Sequence, residues 1–211
     1  MLHIESFSFN PFSENTLVIY NDNKEAFIID PGNFSTSENA VIGHFIEEKQ
    51  LQVQKIILTH AHIDHVLGLY WATKTFETSV TLHKEENEIL SMAHLSAQKY
   101  GIPFNPVEPK LEIIEEGEII NLGKEVFKVL FLPGHSPGHI GLYNEKSEVL
   151  ISGDVIFQGS IGRTDLYKGN HQALIASIKN KVFTLPDSVK IYPGHGPTTT
   201  VGYEKQYNPF F

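Results

Sequence analysis

The chain opens with β-type alternation. Residues 2–9 (LHIESFSF) alternate loosely between apolar and polar positions and predict a strand. Asn10-Pro11-Phe12-Ser13-Glu14 reads as a turn. Residues 15–20 (NTLVIY) and 25–30 (EAFIID) predict two further strands around the turn-rich Asn21-Asp22-Asn23. The period then changes. Val41, Ile42, Phe45 and Ile46 fall on one face of a helix over 37–50, with Thr36 or Ser37 as its cap. An apolar run at 55–59 predicts a strand, 65–76 a helix weakened by Gly68, and 79–83 a short strand. Residues 85–99 predict a helix that Gly101-Ile102-Pro103 ends.

The second half repeats the scheme. Strands are predicted at 111–114, 118–121 and 125–132, a tight loop at 133–138, and strands at 140–143 and 149–152. A Gly-containing segment spans 153–169, a helix 170–183, a last strand 189–192 and a last loop 193–197. Two such runs predict an α/β fold of two sheets packed face to face with helices outside. With 211 residues the chain suits one domain over 1–211 better than two.

Composition narrows the chemistry. Apolar residues make up 41% and charged ones 19%, a globular balance. The net charge of -9 and the lack of a basic run argue against a nucleic-acid partner. No cysteine is present, which excludes disulfides, thiolate metal sites and a cysteine nucleophile. No apolar run approaches the ~20 residues of a membrane span, and Met1-Leu2-His3-Ile4-Glu5 does not resemble a secretion signal. Cytoplasm, without a membrane partner, is the expectation.

Eleven histidines are many for this length, and several sit beside Gly or Asp. Thr59-His60-Ala61-His62-Ile63-Asp64-His65 places four potential metal ligands just after the 55–59 strand. In extended backbone, residues two apart point the same way, so His60 and His62 can share one ion. Asp64 and His65 lie beyond the strand end and are placed for a second ion nearby. Imidazole and carboxylate suit zinc, iron or manganese. Three later loops add His135 (LPGHS), Asp154 (ISGD) and His195 (YPGHG), each after an apolar strand and beside Gly. His139 follows His135 by four, but Pro137 and Gly138 exclude a helix between them, so it is expected beside the ligands and not among them. Asp30, at a strand end before Pro31, is the candidate acceptor for a ligand histidine, with a plain turn role as its alternative. His3, His44, His83, His94 and His171 are expected on the surface or in packing. Tyr203, Tyr207, Phe210 and Phe211 are expected to close the core, with lining an entrance as the alternative.

THAHIDH, PGHSPGH, SGDVIF and YPGHG, in this order along most of the chain, resemble the metallo-β-lactamase fold superfamily. Within it the chain is most similar to the glyoxalase II branch, in a short form without the C-terminal helical domain. That resemblance implies a four-layer αββα sandwich with the site on one edge. It implies that His60, His62 and His135 bind one metal, that Asp64, His65 and His195 bind the other, and that Asp154 bridges them. Two divalent ions are implied, zinc first, with iron or manganese as alternatives, and Asp64 and Asp154 take the catalytic roles. The implied reaction is hydrolysis of a 2-hydroxyacyl thioester of glutathione or another small thiol by metal-bound hydroxide. The substrate is then a small anionic thioester or ester.

Rivals share the fold. Gly162-Arg163-Thr164-Asp165 is similar to the segment of persulfide dioxygenases, which use one iron held by two His and one Asp. Arg163 is expected to meet either the bridging carboxylate or the substrate. A lactonase or esterase is a nearer alternative. A true β-lactamase fits less well, because a bridging Asp is not part of that pattern. A metal-stabilised binding protein without turnover is the non-enzymatic alternative.

Overall fold

A computed structural model describes residues 1–211. The first sheet has the order β1 (Leu2–Phe9), β2 (Glu14–Asn21), β3 (Glu25–Ile29), β4 (Gln52–Ile57), β5 (Val80–Leu82), β6 (Leu111–Ile113). Its first three strands run antiparallel, and β3 to β6 run parallel. The second sheet joins β7 (Ile119–Leu122), β8 (Glu125–Phe131), β9 (Ile140–Asn144) and β10 (Val149–Gly153). A small hairpin, β11 (Ile156–Phe157) and β12 (Ser160–Ile161), leaves the sheet before β13 (Lys190–Pro193) and β14 (Thr199–Thr200) complete it beside β10. Helices α1 (Thr36–Glu48), α2 (Leu69–Phe76), α3 (Glu86–Ser91) and α4 (Ala93–Tyr100) belong to the first half, and α5 (His171–Ser177) and α6 (Val201–Tyr207) to the second.

Strand alternation builds the layers. In β2 and β3, Leu17, Ile19, Phe27 and Ile29 face the second sheet and meet Phe127, Val129, Ile140 and Leu142. The intervening Val18, Ala26 and Ile28 face outward and are covered by Ile42 and Ile46 of α1 and Leu69 and Ala72 of α2. On the far side, Leu130, Leu150 and Ile191 pack under Leu174, Ile178 and Val201. Strands buried on both faces read as continuous apolar runs, as in parallel sheets covered by helices. The result is the four-layer αββα sandwich.

Several boundaries differ from the sequence reading. Ser35 caps α1, in a capping box with Glu38, in place of Thr36 or Ser37. The helix expected from 65 starts at Leu69, because residues 63–65 form a tighter 3-10 turn that draws His65 inward. The helix expected over 85–99 breaks at Met92, where α3 ends and α4 begins. Residues 178–182 continue α5 as a π-helix. Beyond the predicted last loop over 193–197, β14 and α6 follow. Tyr203, Tyr207, Phe210 and Phe211 do not close the core; they are exposed, and α6 packs through Val201 and Glu204 instead. No helix is long and apolar enough to cross a membrane.

β3, β4, β8, β10 and β13 end at one edge, so the loops after them converge there. The edge is stitched across the two sheets. Ile140 N–H donates to the Thr59 carbonyl (2.9 Å), and Asn15 N–H donates to that of Gly194 (2.7 Å). Asn15 Nδ2 adds bonds to the carbonyls of Pro193 (3.0 Å) and Gly196 (2.8 Å).

Candidate metal centre

All seven side chains expected as ligands lie at this edge. Nitrogens of His60, His62 and His135 lie within 4.8 Å of one another, and so do the ligand atoms of Asp64, His65 and His195. Asp154 lies between the groups. Its Oδ1 is 3.4 Å from His65 Nε2, while its Oδ2 is 3.6 Å from His135 Nε2 and 3.5 Å from His195 Nε2. Two glycines make this approach possible. A Cβ on Gly194 would lie 2.1 Å from Asp154 Oδ1. Gly153 has φ +49°, and a Cβ there would lie 2.4 Å from Thr59 Oγ1.

The backs of the rings are held. Asp30 accepts from Thr59 N–H (2.7 Å), Thr59 Oγ1 (2.5 Å) and His65 Nδ1 (3.1 Å), so it orients a histidine and is no plain turn residue. His135 Nδ1 donates to the Arg163 carbonyl (2.7 Å) and His195 Nδ1 to that of Phe12 (3.1 Å). His60 Nδ1 meets Thr59 Oγ1 at 3.1 Å. With each Nδ1 proton so engaged, the Nε2 lone pairs of His60, His65, His135 and His195 are left for the centre. His139 stays behind the groups: its Nε2 accepts from Asp154 N–H (3.0 Å) and its ring stacks on His60.

The electrostatics match a cation site. Burial, then neighbouring imidazoles, hold His60 and His139 well below the usual imidazole range. Burial and the facing His135 push His62 down to about 3. These rings are therefore neutral, and those of His60 and His62 can offer lone pairs to a cation. At the other group burial opposes protonation, yet the Asp154 and Asp64 carboxylates raise His65 above its usual range. Burial would lift Asp154, but His65, His135 and His195 outweigh it and hold its carboxyl far below normal. Positive charge is demanded between the carboxylates.

The residues fit a metal by a second test. His60 Nε2, His65 Nε2 and Asp154 Oδ1 are buried and have no hydrogen-bond partner. His62 Nδ1 and His135 Nε2 face each other at 2.8 Å. Unpartnered buried polar atoms each cost ~1–3 kcal/mol, and cations between them remove that cost. Asp30, His60 and His65 form a third grouping, but the Asp30 oxygens are already occupied by Thr59 and His65.

Three residues escaped the sequence reading. Glu14 is buried behind His65, with Oε1 3.9 Å from its Nδ1, and burial raises its carboxyl well above the normal range. Asn10 Nδ2 donates to the carbonyls of Gly32 (3.0 Å) and Asp64 (2.9 Å), fixing the loop of Asp64. Glu86, at the start of α3, accepts from both loops that carry His60, His62 and His135. Arg163 does not meet the Asp154 carboxylate: its guanidinium pairs twice with Asp165 at the cavity wall, and only its carbonyl reaches the centre, through His135.

A cavity of about 600 Å³ opens over the centre. His62, Asp64, His135, Asp154 and His195 line it, and Phe12, Ile89, Met92, Tyr100, Phe157 and Leu166 supply apolar walls. Lys99 and Arg163 are its cations. Apart from Asp64 and Asp154, no carboxylate lines it.

An αββα sandwich whose edge gathers five histidines and two aspartates into adjoining groups defines a metal-dependent hydrolase. The chain belongs to the metallo-beta-lactamase superfamily, whose family model matches residues 9–195. A protein of Haemophilus influenzae named hydroxyacylglutathione hydrolase GloC is 38% identical, over 99% of this chain and 98% of its own. The crystal structure of BLEG-1 B3 metallo-beta-lactamase superposes with a TM-score of 0.90 at 38% identity, covering 99% of each chain. TTHA1623, solved in a di-iron-bound form, gives 0.89 at 34% identity, covering 98% of this chain and 100% of that one.

Proposed function

We propose that this protein, as one hydrolase domain over residues 1–211, is a glyoxalase II-like thioesterase with two metal positions. Its substrate is a 2-hydroxyacyl thioester of glutathione or another small thiol. The observation that carries the reading is the cavity: the two groups of ligands form its floor, its walls are apolar, and its only charged groups away from the floor are cations. A cavity of this size encloses a small organic ligand. The relative named hydroxyacylglutathione hydrolase supports the same substrate class.

His60, His62 and His135 would hold one metal and Asp64, His65 and His195 the other, with Asp154 shared. The bound cations, zinc first and iron or manganese as alternatives, supply Lewis-acid activation of water and of the substrate carbonyl. This chain does the rest. Asp64 faces the cavity with its Oδ2 3.1 Å from His195 Nε2, so its carboxylate is placed to accept a hydrogen bond from the attacking water. Asp30 and the carbonyls of Arg163 and Phe12 hold the Nδ1 protons of His65, His135 and His195, which fixes each ring's orientation and turns Nε2 inward. Phe157, Ile89 and Met92 exclude solvent around the acyl group. A thiolate leaves without a proton, so a thioester needs no side-chain acid over the floor.

The complete group of Asp64, His65 and His195 favours two metals over the single iron of a dioxygenase. The test is a panel on metal-loaded protein: S-lactoylglutathione, a simple lactone, a β-lactam, and a thiol persulfide with an oxygen electrode. Thioester turnover that exceeds the other three, with two metals per chain, supports the proposal. Asp154→Ala should lose both metals and at least a thousand-fold in activity; retention of either would sink it. Oxygen uptake with one iron, or preferential β-lactam cleavage, replaces it.

A further inference from the structure

Glu86 carries an inference that the ligand set alone does not. It lies at the start of α3 and is fully buried, and burial raises its carboxyl above the usual range. No cation pairs with it. Its Oε2 accepts from Ala61 N–H at 2.8 Å, and its Oε1 from Ser136 Oγ at 2.6 Å and Gly138 N–H at 2.7 Å. Ala61 stands between His60 and His62. Ser136 follows His135. One side chain therefore bonds both loops that supply the first group of nitrogens, at Ala61 between His60 and His62 and at Ser136 and Gly138 after His135, and none of its hydrogen bonds is to Asp64, His65, His195 or their immediate neighbours.

The packing is tight as well as bonded. A Cβ on Gly138 would lie 2.8 Å from Glu86 N, so the second loop is pressed against the start of α3. All three partners are donors, and only a carboxylate offers acceptors on both of its ends. A buried carboxylate without a countercharge is costly, and that cost is tolerated where fixed donors surround it.

We propose that Glu86 is the positioning residue that sets the spacing of the His60–His62 loop against the His135 loop, and so holds one metal position independently of the other. The inference rests on the two-position reading above. Because α3 also bears Ile89 of the cavity wall, the same contact sets that wall against the metal floor.

Glu86→Gln keeps the size but turns one acceptor into a donor that faces Ala61, Ser136 or Gly138. The measurement is competitive metal titration with a chromophoric chelator, which resolves the two affinities, beside thermal unfolding of the apo forms. Loss of a group that orients ligands weakens metal binding by roughly 10–100-fold. The expected result is that loss at one position only. In a His135→Ala background, Glu86→Gln should weaken metal binding no further; in an Asp64→Ala background it should weaken the remaining metal. Equal weakening of both positions, or affinities like those of the wild type, overturns the proposal. Glu86→Asp serves where the Gln variant does not fold, because it keeps a carboxylate at a shorter reach and should give a smaller loss confined to the same position. A wild-type protein that binds only one metal refutes the two-position reading itself, and is recognised before any variant is compared.

Discussion

Lys99 and Arg163 are the two cations of the cavity, and they differ in what they can offer a substrate. Arg163 is already engaged, with Nε and a terminal nitrogen each 2.7 Å from the Asp165 carboxylate. Lys99, near the end of α4, makes no ion pair. A single lysine is a compact point charge, suited to a carboxylate, whereas phosphate sites favour arginine clusters or helix N-termini. The thioester is therefore expected to carry a free carboxylate at its far end. Lys99→Ala should raise KM for S-lactoylglutathione about five-fold, the equivalent of the ~1 kcal/mol typical of an exposed ion pair, and leave kcat unchanged. KM for an uncharged N-acetylcysteamine thioester should not move. Equal effects on the two substrates would remove Lys99 from recognition.

The ligands were legible because each sits in a short local pattern. His60, His62, Asp64 and His65 share seven residues, and His135, Asp154 and His195 each follow an apolar strand and a glycine. Asp30 was half legible, since a strand-end Asp before Pro has two common roles; its three hydrogen bonds decide between them. Glu14 and Glu86 were not legible. The partners of Glu86 lie far away in sequence, as with Gly138, the Glu14 carboxyl has only its neighbour Thr16 as a hydrogen-bond partner, and nothing local marks either acid as buried.

Among the elements, periodicity found every long strand but not the breaks. Glu86, Ile89, Ala93 and Ala97 are the buried positions of α3 and α4, and their spacing of three, four and four fits one continuous helix. The break shows only in the backbone at Met92, whose N–H is shared between the carbonyls of Glu88 and Ile89. It matters because Ile89 and Lys99, on either side of the bend, both reach the cavity. The β11–β12 hairpin was hidden in a Gly-rich segment, and it brings Phe157 and Ile161 to the wall. The hairpin is anchored from α6. Buried Glu204 accepts from Gly159 N–H (3.0 Å), Asn208 Nδ2 (2.8 Å) and Thr199 Oγ1 (2.5 Å). Glu204→Ala strands these donors and should destabilise the fold by ~2–4 kcal/mol in urea unfolding. KM should rise as the hairpin loosens, with both metals retained. An unchanged KM in a folded, destabilised variant would show that the hairpin does not shape the cavity.

Across the molecule, the centre joins two halves that the core alone already packs. β3 and β4 bring Asp30 and His60 from one sheet, while β8, β10 and β13 bring His135, Asp154 and His195 from the other. Any cation bound there ties the sheets at their shared edge. Without it, buried nitrogens and a carboxylate oxygen lack partners, so the metal-free fold holds an uncompensated cost in the seam. Metal binding must then stabilise the whole chain by mass action. At free metal a hundred-fold above Kd, each site adds ~2.7 kcal/mol. For a chain of this size each kcal/mol moves the unfolding midpoint by roughly 2–4 °C. Chelator-treated protein should therefore unfold roughly 5–10 °C lower per occupied site, and zinc should restore the midpoint in two resolvable steps. Differential scanning calorimetry at fixed chain concentration measures this directly. A midpoint indifferent to chelation would mean that the edge packs equally well empty, and that the unpartnered atoms are reached by solvent.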